Sequence, residues 1–525
     1  MRKEIFSVLF AGLGVALLLG LIWAPFYWVA VAFGGLVLLG IHDLTQTRRT
    51  ILRNFPVLGH GRYLLELIRP EINQYFIESN TDGTPFNREQ RSVIYQRAKK
   101  QLDTTPFGTQ SDVYAPGYEW IAHSFMACKP EPGEFPRVLI GEGACSQPYA
   151  ASLLNISAMS FGSLSSRAVE ALNKGAAAGG FAHNTGEGGV SPYHLKHGGD
   201  LIWQVGTGYF ACRDDEGKFD PDCFAKTAAN PAIKMIEIKL SQGAKPGHGG
   251  ILPARKVTAE IAEIRGVKLG QDVLSPPSHS TFDTPHGLLD WITQLRQLSG
   301  GKPIGIKLCV GLRSEFMALC KAMRSGRKYP DYIVVDGGEG GTGAAPLEFA
   351  NSVGMPLNEG LAFVQNCLVG FDLRQRVRVI ASGKITSGFD MLRMLALGAD
   401  ACYSARAMMM SIGCIQARRC HANDCPVGVA TQNAALMQGL DVEDKAERAN
   451  NYQHETVESL MELLGAAGLK DPTEVTPRHI QRRVDESHSA SYFDLYPFIE
   501  RGSLISEPVP EAYEISWHRA SASRF

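Results

Sequence analysis

The chain has 525 residues, 45% of them hydrophobic, and a formal net charge of −1 at pH 7. A near-neutral chain of this size exceeds one ordinary domain and offers no electrostatic footing for nucleic acid. Eleven cysteines, an odd number without a disulfide-like spacing, point to a reducing compartment.

At the N-terminus MRKE precedes an uncharged apolar run over residues 5–23, and after Ala24-Pro25 a second run covers 26–41. Each approaches the ~20 residues a helix needs to cross a bilayer. No polar loop separates them, so the pair predicts a transmembrane helical hairpin over residues 1–42, with Trp23, Phe26, Tyr27 and Trp28 at the far interface. Arg2 and Lys3 before the pair, and Arg48, Arg49 and Arg53 after it, set both ends and the catalytic domain on the cytoplasmic side of the inner (cell) membrane. A cleaved signal peptide and a buried core hairpin are the rival readings, the first disfavoured by the second run. Residues 43–137 turn polar and mixed. Leu64, Leu65, Ile68, Val93 and Ile94 suggest helices, while Pro116-Gly117 and the stretch 130–136 suggest irregular packing in an extension without chemistry of its own.

Short apolar strands then alternate with helical or looped stretches, at 154–159, 181–184, 202–205, 235–239, 304–308, 332–336, 378–381 and 401–404. Eight such strands predict an α/β fold, a (β/α)8 TIM barrel over residues 138–435 with its active site at the strands' C-terminal ends. Segment 241–283, after the fourth strand, is rich in Gly and Pro and too long for an idle connection, so a lid or substrate loop is expected. The seventh strand ends in Ser382-Gly383-Lys384 and the eighth in Ser404-Ala405-Arg406. Two such junctions, small residues with a cation, suit a phosphate cradle, because backbone N–H groups there point at an anion. A plain tight turn is the competing reading. Cys414, Cys420 and Cys425 follow within twelve residues, among Arg418, Arg419 and His421. Thiols this close suit soft-metal ligation, with nearby cations favouring the thiolate. A three-thiolate cluster, a zinc site completed by His421 and three merely buried cysteines all remain open on spacing alone. Residues 436–525 read as a charged helix and polar tail packed on the barrel.

The segment GCIQARRCHANDCPVGVATQ resembles the cluster segment of the synthase domain of glutamate synthase. NTGEGG (184–189), EIKLSQGAKPGHGG (237–250), SPPSH (275–279) and DGGEGGTGAAP (336–346) follow that family's motifs in its order, across about residues 156–432. The resemblance implies a stand-alone, membrane-tethered FMN and iron–sulfur oxidoreductase acting on CH–NH2 donors. In it, a 2-oxo acid and ammonia become an amino acid, 2-oxoglutarate giving L-glutamate. Cys414, Cys420 and Cys425 would hold a 3Fe-4S cluster. Ala158, Met159 and Ser160 would line the flavin's edge, and Lys307 would stabilise negative charge on its reduced form. Gly338, Gly340, Gly341 and Thr342 would approach its ribityl chain, with the junctions Ser382, Gly383, Lys384 and Ser404, Ala405, Arg406 on its phosphate. Gln242, Lys245 and Arg265 would contact the dicarboxylate, Arg as a fork and Lys as a point charge. Glu187 would position the imine or relay protons, so Glu187, Lys245 and Lys307 are the expected catalytic groups.

Two positions depart from the family pattern. Ile251 stands where a second glutamine follows GHGG, and His286 where a glutamate lies near the ammonia entry. Both put the native acceptor and the handling of ammonia in question. The family's N-terminal nucleophilic cysteine, its C-terminal β-helix and a G-x-G-x-x-G dinucleotide fingerprint are not found in the sequence. Ammonia is therefore expected from solution or another subunit, and electrons from a separate donor such as a ferredoxin or reductase subunit; assembly into a homo-oligomer is left open. The alternatives are an FMN-dependent oxidoreductase acting on a different amine or amino acid, a flavin-dependent isomerase, and a catalytically silent membrane scaffold that retains the barrel.

Overall fold

The computed structural model describes residues 2–129 and 135–525, in two compact units, residues 1–88 and 89–525. Most of the irregular stretch expected at 130–136 lies outside the described residues, as do the side chains of Arg2 and Lys3.

In the first unit, α1 (Arg2–Gly20) and α2 (Phe26–Thr45) pack side by side with the reversal at Ala24-Pro25. Glycines make the seam. A Cβ on Gly40 would lie 2.9 Å from the Phe6 ring and one on Gly20 2.9 Å from Tyr27, and Gly12 faces Phe33 in the same way. The outer faces stay apolar and uncovered, with Leu18, Leu21, Ile22, Trp28, Val31 and Leu38 exposed. By length and composition α2 can cross a bilayer; the apolar part of α1, Glu4–Gly20, is shorter. In the last turn of α2, the buried Asp43 carboxylate accepts the Val57 N–H at 2.9 Å and meets His60 Nε2 at 2.9 Å.

The second unit is built on a closed parallel barrel: β1 (Leu154–Ile156), β2 (His183–Asn184), β3 (Leu201–Val205), β4 (Ile233–Lys239), β5 (Ile304–Leu308), β6 (Tyr332–Asp336), β7 (Arg378–Ser382) and β8 (Ala401–Ser404), with β8 pairing back onto β1. These strands read as nearly continuous apolar runs because helices cover one face and the barrel interior the other. Ala182, Ile202, Met235, Val334, Ile380 and Ala401 fill the end where the strands begin. An antiparallel hairpin, Arg137–Ile140 with Tyr149–Ser152, caps that end and adds Ile140, Tyr149 and Ala151 to the same cluster. The chemistry sits at the other end, where β4 finishes in Lys239 and β6 in Asp336.

Two later elements brace the outside. Helix Val442–Ala466, capped by the Asp441 carboxylate on Asp444 N at 2.9 Å, lies along helix Ser166–Gly179. The approach is so close that a Cβ on Gly175 would stand 2.7 Å from Ala446 O. A three-stranded antiparallel sheet joins Glu119–Ile121, ahead of the barrel, to Ile480–Arg483 and Ser489–Ser491 beyond it.

Candidate active site at the barrel mouth

Side chains alternate across a strand, so Met235, Glu237 and Lys239 of β4 share one face, the interior one. Glu237 is fully buried and accepts Asn184 Nδ2 at 3.0 Å and Gln204 Nε2 at 2.6 Å. One step nearer the mouth, Lys239 Nζ stands 2.9 Å from Glu187 Oε1. Glu187 belongs to the NTGEGG loop after β2, which folds hard against the end of β1. Gly186 has φ +64, and a Cβ there would meet Ser160 N at 2.7 Å; one on Gly188 would meet Ser160 Cβ at 2.8 Å. The motif needs its glycines for that approach.

The excursion after β4 is ordered. A two-residue pair, Ile251–Leu252 with Val273–Leu274, and the helix Ala259–Arg265 carry it. It delivers two buried cations beside Glu187. Lys245 is 2% exposed, and its ammonium has no hydrogen-bond partner among the described residues. Arg265 is 5% exposed; its Nη2 donates to Phe161 O at 2.9 Å and its guanidinium lies 5.2 Å above the Phe210 ring. The Gln242 side-chain amide is also unpartnered among the described residues. Burial favours the protonated Glu187 carboxyl, yet Lys239, followed by Arg265 and Lys245, holds it below the usual carboxylate range. Burial pushes Lys245 down to about 8, with Lys239 repelling and Glu187 opposing. Burial likewise takes Arg265 to about 10 against the pull of Glu187. Three cations around one carboxylate leave the pocket two positive charges in excess.

Glu187, Lys245 and Arg265 are thus brought together as expected, and Lys239 is the member that motif reading passed over. His279 of SPPSH supports it: Nε2 meets Lys239 O at 3.0 Å and Nδ1 meets Tyr209 Oη at 3.1 Å. Burial takes its imidazole down to about 4, so it is neutral. Ile251 follows Gly250, whose Cβ would lie 2.8 Å from Glu187 Cδ. His286 sits among the helices, with Nε2 3.4 Å from Ser325 Oγ.

Around the rest of the mouth, Lys307 is buried with Nζ 3.6 Å from Asp336 Oδ2, and that same oxygen accepts Gly243 N at 2.7 Å. Ala158 is half-buried, Met159 and Ser160 are buried, and Ser160 Oγ is 3.1 Å from Ser163 Oγ. In the glycine run after β6, Gly338 N donates to Met355 O and Gly340 N to Gly337 O, both at 2.8 Å. Gly341 makes room for Arg406, whose Nη2 donates to Glu339 O at 2.8 Å; Thr342 is exposed. The β7 and β8 junctions are neighbours. Ser382 pairs with Tyr403, Ser404 Oγ donates to Ile385 O at 2.8 Å, and Ala405 opens the short helix bearing Arg406. Partial burial and the nearby Arg406 both lower Lys384, with Glu339 opposing. Lys384 beyond Gly383 and Arg406 beyond Ala405 form a pair of mutually repelling cations, a donor set that fits a phosphate between them.

The three cysteines lie beyond β8. Tyr95 Oη donates to Cys414 O at 2.8 Å. Burial pushes the Cys414 thiol up to about 12 and raises Cys420 as well, each feeling the charge of Cys425. Arg418, Arg419 and His421 are exposed, and Arg419 is bonded to Asp424, so the cations adjacent in sequence are turned to solvent. The cation whose charge reaches Cys420 and Cys425 comes from the excursion: Lys256. Among the described residues, His454, Glu455 and Glu458 are the only group that gathers three ligand atoms within 4.8 Å. Cys414, Cys420 and Cys425 do not form such a group, so at least one pair of their sulfurs stands beyond 4.8 Å, wider than the roughly 3.8 Å between ligands of one zinc ion with Zn–S bonds of about 2.3 Å. Such a set fits a polynuclear cluster better than a single tetrahedral ion.

Residues 133–470 match the conserved region in glutamate synthase. The glutamate synthase large subunit-like protein YerD of Bacillus subtilis (strain 168) is 37% identical over 512 residues, covering 90% of this chain and 96% of that protein. The archaeal glutamate synthase (NADPH) of Methanocaldococcus jannaschii is 36% identical over 315 residues, 60% of this chain and 58% of that protein. An archaeal-type glutamate synthase (NADPH) of Thermotoga maritima is 34% identical over 313 residues, again 58% of its own length. The aligned stretch thus spans little more than half of each of these two relatives.

Proposed function

The chain belongs to the glutamate synthase family of oxidoreductases acting on CH–NH2 donors, and from that membership we propose that it catalyses reductive amination of a 2-oxo dicarboxylic acid, 2-oxoglutarate to L-glutamate. Ammonia comes from solution or another subunit. The observation that carries the reading is the pocket of Lys239, Lys245 and Arg265 around Glu187. Its two surplus positive charges match a dianion, and buried cations make strong charge-assisted bonds to carboxylates. Lys245 has an ammonium free to take one carboxylate, and Arg265 presents a planar fork to the other. Glu187, kept ionised by its neighbours, is set to exchange a proton with the substrate nitrogen, and Lys239 restores its charge balance.

When bound, FMN would supply hydride chemistry and an iron–sulfur cluster, which we assign as 3Fe-4S, would supply single electrons drawn from a separate donor protein. Lys384 and Arg406 suit the FMN phosphate, Lys307 the reduced ring's negative charge, and Ala158 to Ser160 its edge. Cys414, Cys420 and Cys425 suit the cluster. We further assign α1 and α2 to a membrane, with the barrel unit on the cytoplasmic side, on the strength of their uncovered apolar faces. Ile251, an apolar residue where the family pattern has a second glutamine, favours a second reading in which a less polar 2-oxo acid is the acceptor.

The deciding experiment reduces the purified full chain anaerobically and adds ammonium with a series of 2-oxo acids, following flavin reoxidation and amino-acid formation. Glutamate from 2-oxoglutarate is the expected product. Reoxidation by a monocarboxylic acid alone establishes the second reading, and no reoxidation by any of them overturns both.

A further inference from the structure

Lys256 ends a single 3-10 turn, Ala254–Lys256, in the excursion that also carries Lys245 and Arg265. It is 3% exposed. Its ammonium donates to Ser163 O at 2.9 Å, in the loop after β1, and to Ala430 O at 3.0 Å, five residues past Cys425. Asn423, between Cys420 and Cys425, adds a second tie by donating to Arg255 O at 3.0 Å. Among the described residues no carboxylate pairs with Lys256. A buried ammonium held by two neutral carbonyls is costly unless an anion stands near it. Both ties lead to the segment bearing Cys420 and Cys425, whose thiolates would supply that negative charge with a cluster bound.

We propose that Lys256 is a positioning residue: its buried charge raises the reduction potential of the cluster held by Cys414, Cys420 and Cys425, and its two hydrogen bonds fasten the substrate excursion to the cluster segment and to the loop after β1. The inference rests on the iron–sulfur assignment above. Reduction adds one electron from the donor protein to the cluster, with no bond made or broken, so the cluster gains one negative charge. A fixed cation in a site of low dielectric favours that product over the oxidised form. One side chain therefore links three parts: the excursion bearing Lys245 and Arg265, the flavin-edge loop, and the cysteine segment.

The test is a redox titration of the anaerobically purified full chain, followed by the electron paramagnetic resonance signal of the oxidised cluster, with iron and acid-labile sulfide counted beside it. K256Q is expected to shift the reduction equilibrium about tenfold toward the oxidised form, a fall of about 59 mV for a one-electron couple. K256R keeps the charge and should stay close to wild type. If K256Q retains its iron and titrates at the wild-type potential, the proposal is wrong. Should K256Q lose the cluster while K256R keeps it at the wild-type potential, the charge itself is required and the proposal stands. Loss of iron from both variants assigns the residue to packing and overturns it. Wild-type protein without iron overturns the cluster assignment instead, an outcome read before any variant is made.

Discussion

Charge at the barrel mouth is set residue by residue, and Lys245 is the most exposed to test. Its ammonium is held down to about 8 by burial, so the free pocket loses this cation as pH rises through that value. KM for the 2-oxo acid should be flat below about pH 7 and climb about tenfold per unit well above pH 8. Lys245→Ala should remove that dependence and lower kcat/KM by about 30- to 1,000-fold, the scale of a desolvated charge-assisted bond of about 2–4 kcal/mol. FMN content should not change, and a loss under about threefold would mark an ordinary surface lysine. Lys239→Met acts differently. It strips Glu187 of its nearest cation, so the carboxyl rises and the acidic limb of the pH–rate profile moves to higher pH; an unmoved limb removes Glu187 from the proton step. Glu187 and Lys245 were legible because whole motifs carry them, whereas Arg265 lies between the motifs and was expected only from the resemblance. Lys239 was legible only through strand parity with Met235, a step motif reading skips. Lys256 was not legible at all, since its partners lie 93 and 174 residues away. The arginines beside the cysteines misled for the same reason: adjacency in sequence says little about which way a loop turns its side chains.

Among the elements, the barrel strands read most cleanly, since parallel strands buried on both faces leave unbroken apolar runs. β5, β6 and β8 fall where those runs predict. β1 stops at Ile156, short of the expected 159, because the chain turns there to serve the mouth, with Ser157 N on Ser404 O and Met159 N on Asn184 O. The excursion was visible as a long Gly- and Pro-rich segment, but its short strand pair and helix were not, because tertiary contacts rather than local periodicity hold them. Gly250→Ala tests its fit: the new Cβ, 2.8 Å from Glu187 Cδ, should displace the carboxylate and cut kcat/KM by about tenfold or more while the unfolding midpoint barely moves. Gly388→Ala tests the outer brace. There the Cβ would stand 2.5 Å from Leu460 N in the helix Val442–Ala466, and overpacking against backbone should cost about 1–3 kcal/mol in urea unfolding with turnover little changed. The reverse pattern in either variant would misassign the element.

At the scale of the whole molecule the two compact units divide at Arg88, and the barrel unit carries its own closed core. A chain of residues 89–525 should therefore leave the membrane fraction and keep both its far-UV circular dichroism and its iron, while the full chain stays with washed membranes. Truncated protein that remains on the membrane would place the anchor in the barrel unit. Glu119–Ile121 pairs with Ile480–Arg483, and Glu119 also meets Arg393 and Tyr492, each at 2.7 Å. About 360 residues separate Ile121 from its partner Ile480. At synthesis rates of about 5–20 residues per second, the first strand waits roughly 20–70 seconds for the second to leave the ribosome. For that interval it is an open edge carrying a carboxylate without its cations, and a nascent chain arrested before Ile480 offers that edge to chaperones or to its neighbours on the polysome.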